Sequence, residues 1–189
     1  MPAPPVVIVL ASGRGERFAA SGGTVHKLRA LLAGRPVLEH TLDAVRASGL
    51  PWHLEDAGHP GMGDSIAAAV RATQGAAGWL VLPGDLPLIQ AASLRQVAAA
   101  LARQPVVVPH HGGERGHPVG FAAVCREALL GLKGNQGAVH IVRSYAAMNS
   151  IADIELGDIG CVTDIDTVAD LARAQALLDA RAAAAGLRT

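Results

Sequence analysis

Small residues and cations follow the first apolar run of the sequence, in the segment VLASGRGERF at residues 9–18. They include Gly13, Gly15 and Arg17, and Lys27 stands nine residues after the segment ends. Closely spaced glycines let backbone N–H groups approach an anion, and arginine and lysine side chains add positive charge. The segment therefore predicts a phosphate site, and a turn that carries solvated arginines is the alternative.

Carboxylates occur at two later points where they could bind a metal ion. Asp85 comes directly after an apolar run and is flanked by Pro and Gly residues that stiffen the loop. A rigid carboxylate suits a hard cation such as Mg²⁺ that is shared with phosphate oxygens, although Asp also forms turns in Pro- and Gly-rich loops. Asp164 and Asp166 are candidates for a second metal ligand, because helix capping by Thr167 and Asp170 does not account for them.

Two common glycine-loop patterns do not fit the first segment. The dinucleotide pattern GxGxxG fails because Phe18 stands at its third glycine position, and no acidic residue follows a second strand at the expected place. The P-loop pattern fails because the sequence has no Gly-Lys-Ser or Gly-Lys-Thr. A dinucleotide-dependent oxidoreductase is therefore disfavoured.

The elements that position these residues are predicted from hydrophobic periodicity. Short apolar runs alternate with helical spacing, which indicates parallel strands joined by crossover helices and ligand binding beyond the carboxyl ends of the strands. We predict strands at 6–11, 52–55, 79–82, 106–109, 151–156 and 160–163. We predict helices from Pro36 to residue 49 and at 64–73, 92–103, 136–147 and 167–185, the last with a capping box of Thr167 and Asp170.

Composition narrows the class of protein. A chain of 189 residues fits a single domain, and half of its residues are apolar while only 3% are aromatic. The formal net charge is zero, so no global basic field favours nucleic acid. Cys125 and Cys161 lack CxxC spacing, which favours a reducing compartment. The first apolar run is too short to span a bilayer and lacks a basic flank, so we expect a cytoplasmic protein that does not bind membranes.

Five motifs together resemble the MobA-like nucleotidyltransferases, in particular the molybdenum cofactor cytidylyltransferases. The motifs are VLASGRGERF with its distant lysine, PGMGDSIAAAV, LVLPGDLPLI, GHPVGF and TDIDTVADL, and they occur in the family's order over nearly the whole chain. The resemblance implies a Rossmann-like three-layer α/β/α fold with a mostly parallel sheet, in one domain over residues 1–189. It implies Mg²⁺-dependent transfer of CMP from CTP to molybdopterin with release of pyrophosphate. A molybdoenzyme or its chaperone is then a candidate partner.

The resemblance also assigns roles to individual residues. Arg17 and Lys27 match the phosphate-binding cations, Asp85 matches the Mg²⁺ ligand, and Asp166 stands where relatives place a second residue near the metal. His117 matches the GHP segment on the side of the second substrate, and a turn histidine fixed by Pro118 is the alternative. The nucleotide-binding residues implied are Leu10, Ala11, Ser12, Gly13, Gly15, Arg17, Lys27, Asp56, Gly61, Gly63 and Ser65.

Several departures from the family pattern carry their own expectations. One strand-helix unit after the first long helix is missing, which predicts an exposed sheet edge near the base. The segment between Arg17 and Lys27 is longer than usual, which predicts a displaced Lys27. GNQGAV replaces the family's GDxGAR, so an acid is lost at Asn135 and a base at Val139. Ser12 replaces an alanine, and the Gly-Met-Gly loop favours cytidine over guanosine.

Two alternatives to the cytidylyltransferase remain open at this stage. One is transfer of GMP or another nucleotide to a pterin, or to a sugar or alcohol phosphate. The other is a catalytically weakened module that binds a nucleotide or cofactor and presents it to a partner enzyme, which the missing unit and the altered GNQGAV segment would permit.

Overall fold

The computed structural model describes residues 3–186 as a β-sheet with helices on both faces. The strands are β1 (Val6–Leu10), β2 (Leu31–Leu32), β3 (Arg35–Pro36), β4 (Trp52–Glu55), β5 (Gly78–Pro83), β6 (Val106–His111), β7 (Glu114–Arg115), β8 (Val119–Ala122) and β9 (Ile151–Glu155). The helices are α1 (Glu16–Ala20), α2 (Val37–Ser48), α3 (Met62–Ala72), α4 (Ala91–Ala100), α5 (Arg126–Leu130), α6 (Val139–Ala147) and α7 (Val168–Gly186). The predicted three-layer α/β/α fold is confirmed.

The order of the strands determines which loops meet. β4, β1 and β5 are parallel neighbours, β8 lies antiparallel between β5 and β6, and β9 is parallel to β6. β7 forms a hairpin with the end of β6, and β2 with β3 makes a separate small ribbon. The carboxyl ends of β4, β1 and β5 therefore lie side by side, at the edge where open α/β sheets bind ligands.

The sequence of β1 explains why the sheet is covered on both faces. Val7 and Val9 pack in one core with Leu42 of α2, whereas Ile8 packs in a second core with Ile66 of α3. Successive side chains of a strand point to opposite faces, so a continuous β-branched run supplies both cores. β5 is buried at five of its six positions, as expected for a central strand.

The sheet ends at β4, on the side where the sequence predicts a missing unit. α2 ends at Ser48, and Gly49 follows with a φ of 71° that favours glycine. β4 begins at Trp52, three residues after Gly49. β4 pairs with β1 and with no other strand of residues 3–186. The chain then passes directly into the loop before α3, so this loop borders the carboxyl end of β1.

Three local predictions differ from the structure. The strand predicted at 160–163 is wrong: Ile159–Val162 forms a 3₁₀ turn, because the Asp158 carboxylate accepts a hydrogen bond from the backbone N–H of Gly160 at 2.9 Å. The helix predicted from residue 136 begins only at Val139, since the preceding loop packs against the start of α3. Sequence periodicity also missed the five-residue helices α1 and α5.

Both cysteines are buried and form no disulfide, as their spacing predicts. Burial, followed by the nearby charges of Asp158 and Glu155, raises the pKa of Cys161 to about 11. The thiol is therefore a packing group rather than a nucleophile. Among residues 3–186, no helix has the length and apolar character needed to cross a bilayer.

Candidate functional site

The glycine loop continues from β1 and turns sharply into α1. Gly15 has a φ of 66°, a left-handed conformation that favours glycine, and it caps the first turn of the helix. His26 fixes this loop from outside: its Nδ1 accepts from the backbone N–H of Leu28 at 3.3 Å, so its Nε2 carries the proton and donates to the Gly13 carbonyl at 2.7 Å. The loop and the Lys27 turn are thereby joined.

Lys27 reaches two carboxylates that come from other parts of the chain. Its Nζ donates to Asp85 Oδ2 at 2.5 Å and to Asp166 Oδ1 at 2.9 Å, and Arg17 binds Asp166 Oδ2 at 2.7 Å. The longer segment before Lys27 therefore does not keep it from reaching the carboxylates. The longer segment is taken up by α1, because a helix advances only about 1.5 Å per residue, and Phe18 and Leu28 then anchor it in a small core.

Asp85 is held rigidly by its neighbours in the chain. Gly84 donates to the Leu10 carbonyl at 2.9 Å and accepts from Thr41 Oγ1 at 3.0 Å. A Cβ on Gly84 would lie 2.9 Å from Leu38 Cδ1 and 3.0 Å from the Leu10 carbonyl oxygen, so a larger residue would crowd the backbone of β1. The Asp85 carbonyl accepts from Ile165 N–H at 3.0 Å, which brings the segment with Asp166 to the end of β5.

Charges in this cluster are only partly balanced. Burial acts to lower the pKa of Lys27, but its pairing with Asp85 and Asp166 outweighs burial and raises that pKa. Burial, and then the charges of Asp166 and Asp85, raise the pKa of Asp164. Asp85 Oδ1 is buried and has no hydrogen-bond partner among residues 3–186. A carboxylate oxygen in this condition is suited to a cation.

A cavity of about 440 Å³ opens at the carboxyl ends of β4, β1 and β5. We call one part the charged end, formed by Arg17, Lys27, Asp85 and Asp166, and the other the loop end, formed by His59, Pro60, Gly61, Met62, Ser65 and Asn135. Its wall is completed by Leu10, Ser12, Gly13, Arg14, Gly15, Glu16, Phe18, Leu28, Pro83 and Gly84. The charged end fits polyphosphate, and the loop end leaves room for an uncharged group.

The loop end is built by close backbone contact between two loops. A Cβ on Gly61 would lie 2.2 Å from the backbone of Gly134, and the backbone N–H of Gly63 donates to the Gly134 carbonyl at 2.8 Å. The N–H of Gly134 donates in turn to Asp64 Oδ2 at 2.9 Å. The Gly-Met-Gly loop and the GNQG segment therefore form one wall, which brings Asn135 to the cavity.

Most of the residues singled out in the sequence meet at this cavity. Those that line it are Leu10, Ser12, Gly13, Gly15, Arg17, Lys27, Gly61, Ser65, Asp85 and Asp166. Ser12 and Ser65 join their hydroxyl groups at 2.7 Å. Ala11, Asp56, Gly63, His117 and Asp164 do not line it. The individual binding roles remain predictions.

His117 is not part of the cavity wall. Its Nδ1 is buried and has no hydrogen-bond partner among the described residues. Burial lowers the pKa of this histidine, against the opposing charge of Asp85 and the backbone of Val81. The backbone N–H of His117 donates to the Cys161 carbonyl at 2.8 Å. A direct contact with a second substrate is therefore not indicated by its position.

Sequence reasoning missed three residues that shape the site: His26, His59 and Glu55. Glu55 ends β4 with only 9% of its side chain exposed and accepts hydrogen bonds from His59 Nε2 at 3.0 Å. The exposed neighbour Asp56 was singled out instead. β4 shows no alternation of exposed and buried positions, so its periodicity offered no signal that Glu55 would be buried.

The fold and cavity are those of a nucleotidyltransferase, and comparison with known proteins agrees. A model of the MobA-like NTP transferase domain matches residues 43–149, which is more than half of the chain. The chain belongs to the MobA-like NTP transferase family, which confirms the resemblance found in the motifs.

Particular relatives extend this assignment. PucB of Bacillus subtilis (strain 168), a purine catabolism protein, is 27% identical over 188 residues and is matched over 85% of this chain and 90% of its own length. The bifunctional protein GlmU of Stenotrophomonas maltophilia (strain K279a) is 31% identical over 157 residues, which cover 70% of this chain. The chain spans about a third of the length of the GlmU proteins that it matches: 32% for this one.

A solved structure shares the fold over almost the full length. Rv0371c from Mycobacterium tuberculosis H37Rv superposes with a TM-score of 0.74 at 22% identity, and the match covers 92% of this chain and 97% of that chain. The same protein has been solved in complex with manganese.

Proposed function

We propose that this protein transfers CMP from CTP to molybdopterin and releases pyrophosphate, with Mg²⁺ as its metal. The observation that carries the proposal is the charged end: two cations and two carboxylates from four separate segments meet beyond β1 and β5. An NTP and a phosphate-bearing acceptor repel each other, so transfer requires such positive charge at a fixed place. The family supports the reaction class, and the order of the five motifs supports the acceptor.

Arg17 and Lys27 would bind the triphosphate during the transfer. Arg17 pairs with Asp166 in the structure, but 77% of its side chain is exposed, so it would reach the β- and γ-phosphates by turning away from that carboxylate. Lys27 lies deeper and would bind the same phosphates. An acceptor phosphate oxygen would form a bond to the α-phosphorus as the bond from that phosphorus to the bridging oxygen breaks. Pyrophosphate leaves with the electron pair and is held by the two cations. An acceptor phosphate is already ionised at neutral pH, so no protein nucleophile is required.

The residues at the charged end fit a divalent cation. Asp85 Oδ1 is a buried carboxylate oxygen without a partner among residues 3–186. Asp166 lies nearby, where its Oδ1 pairs with Lys27 and its Oδ2 pairs with Arg17. No cluster of three or more His, Cys, Asp or Glu side chains in that range is arranged to hold a metal alone, which fits a cation that also needs phosphate oxygens. When bound, the metal would neutralise triphosphate charge as the new bond forms. The manganese complex of Rv0371c supports this proposal.

We place the base at the loop end, because its wall carries no lysine or arginine. The wall is formed by His59, Pro60, Gly61, Met62, Ser65 and Asn135. The choice of cytidine rests on the Gly-Met-Gly loop and its resemblance to the family. Asn135 stands where the resemblance implies an acid, so the loop end lacks one negative charge there.

The test is a screen of the four ribonucleoside triphosphates with Mg²⁺ and molybdopterin, in which pyrophosphate is measured. The proposal predicts release with CTP that requires both Mg²⁺ and the acceptor. Release with GTP alone would contradict the base assignment. Tight CTP binding without any turnover would instead support the weakened binding module that the missing strand-helix unit permits.

A further inference from the structure

Glu55 and its two histidines form a polar cluster that the transfer reaction does not use. The carboxylate ends β4 beside Leu10 in the register with β1. Its Oε1 accepts from His59 Nε2 at 3.0 Å and its Oε2 accepts from His53 Nε2 at 3.3 Å. Among the residues that the structure describes, no lysine or arginine pairs with Glu55. Oε1 also accepts from the backbone N–H of Ala57 at 3.3 Å. A buried carboxylate that accepts from imidazoles determines which nitrogen of each ring carries the proton.

His59 is the member of this cluster that lines the cavity. A carboxylate can only accept, so His59 Nε2 carries the hydrogen, and in the neutral ring Nδ1 is left with a free lone pair. His59 Nδ1 has no hydrogen-bond partner within residues 3–186, and it is not among the buried atoms that lack one. The nitrogen is therefore an acceptor that is not buried, on a residue that lines the loop end. His53 contacts the same carboxylate but does not line the cavity.

The strand order places this acceptor where a nucleoside would lie. β1 separates β4 from β5, so His59 after β4 and Asp85 after β5 are on opposite sides of the glycine loop. Phosphates held by Lys27 and Arg17 at the charged end leave the base to extend toward β4. The groups it meets there include Gly61, Ser65 and His59.

We propose that His59, oriented by Glu55, selects nucleotides whose base presents an amino group, and so favours CTP over UTP. This inference rests on the proposed function. Cytosine offers an N4 amino donor to the Nδ1 lone pair, whereas uracil places a carbonyl oxygen at the same position. Two acceptors facing each other lose the hydrogen bond and leave both unsatisfied. Glu55 is a positioning residue here, because it acts through the tautomer of His59.

The test measures binding of CTP and of UTP, each with Mg²⁺, by isothermal titration calorimetry. The parent protein should bind CTP about ten-fold more tightly than UTP, the size expected from one hydrogen bond. His59→Ala should reduce that ratio to about two or less by the same reasoning. Glu55→Gln should also reduce it, because a glutamine amide can donate to Nε2 and so place the proton on Nδ1. His53→Ala is the matched control and should keep the ratio of the parent.

The outcomes separate this inference from the proposed function. If the parent binds CTP but His59→Ala weakens CTP and UTP equally, His59 only supports the loop or contacts the ribose, and the inference fails while the transfer reaction stands. If the parent binds no nucleoside triphosphate, the proposed function fails as well. Should the variants not fold, nitrogen-15 NMR of the parent replaces them: CTP should shift the unprotonated Nδ1 of His59, and an equal shift with UTP would overturn the inference.

Discussion

The charged end and the loop end of the cavity are held together in different ways. At the charged end, ion pairs join residues that are far apart in the sequence, such as Lys27 and Asp166. At the loop end, backbone meets backbone, and Gly61 and Gly134 touch without any side chain between them. The difference teaches that the function of the first region depends on its charges, whereas the shape of the second depends on close backbone contact.

Removing a charge at the charged end should have the largest effect. Asp85→Asn leaves Lys27 with one carboxylate fewer and removes the negative charge at the buried oxygen suited to a cation. We expect the rate of pyrophosphate release to fall by about 10²–10³, the range found when one preorganised group is removed from an active site. The rate is measured with CTP, Mg²⁺ and molybdopterin. Asp153→Asn, on the distant strand β9 with 57% of its side chain exposed, should keep the parent rate.

Adding a methyl group at Gly61 tests whether close backbone contact shapes the loop end. Gly61→Ala would place a Cβ 2.2 Å from the Gly134 backbone, so the two loops must separate. We expect a loss of about 1–3 kcal/mol in the free energy of unfolding, typical of overpacking, and weaker CTP binding. Gly75→Ala is the control, because its Cβ would meet nothing within 4 Å. Normal CTP affinity in Gly61→Ala would show that this contact does not shape the site.

Removing the cation between the carboxylates should strengthen metal binding while it impairs transfer. Lys27 neutralises Asp85 and Asp166, and its own pKa is raised by that pairing despite its burial. Lys27→Met should therefore bind Mn²⁺ about ten-fold more tightly in the absence of nucleotide, a modest electrostatic change for one close charge. Electron paramagnetic resonance of free Mn²⁺ gives the affinity. Lys133→Met, an exposed lysine outside the cavity wall, should leave it unchanged, and equal affinities in both variants would refute competition by Lys27.

The smallest effect concerns the pH dependence of stability. Burial lowers the pKa of His117 in the folded protein below its ordinary value of 6.5. The unfolded chain then binds more protons than the folded one, so stability is lost as the pH falls through 6.5 toward the folded-state pKa. His117→Asn should make the free energy of unfolding less dependent on pH between about pH 7.5 and about pH 5.5.

Urea unfolding at both pH values measures this dependence. The exposed His140 supplies a matched control, since His140→Asn should keep the slope of the parent. An identical slope in His117→Asn and the parent would show that the pKa of His117 is the same in the folded and unfolded states, which contradicts the effect of burial.

The sequence could predict much of the charged end because its signals are local. A β-branched run followed by glycines, and a carboxylate after a buried run, each mark the end of a strand, and parallel strands bring those ends together. Arg17, Asp85 and Asp166 were found in this way. The contacts of Lys27 with the two carboxylates were not predicted. They depend on α1, a helix of five residues that is too short to show periodicity.

The loop end was harder to predict because its contacts have no local pattern. Gly134 packs on Gly61 from a segment more than seventy residues away, and the spacing within either loop does not encode that contact. Glu55 and His59 are four residues apart in a turn rather than a helix, so their hydrogen bond follows no regular period. The 3₁₀ turn at Ile159–Val162 was taken for a strand because apolar composition alone does not distinguish the two.

The close fit of Gly84 between β1 and α2 has a consequence for how this protein could change its substrate. Asp85 cannot shift toward a new ligand, because Gly84 beside it is hydrogen-bonded to Leu10 and packed near Leu38. Laboratory evolution toward a different nucleotide should therefore collect substitutions at residues 56–65 and 133–136 and leave 83–85 untouched. The metal-binding residue at the end of the sheet would stay the same, and the loops would determine which nucleotide is bound.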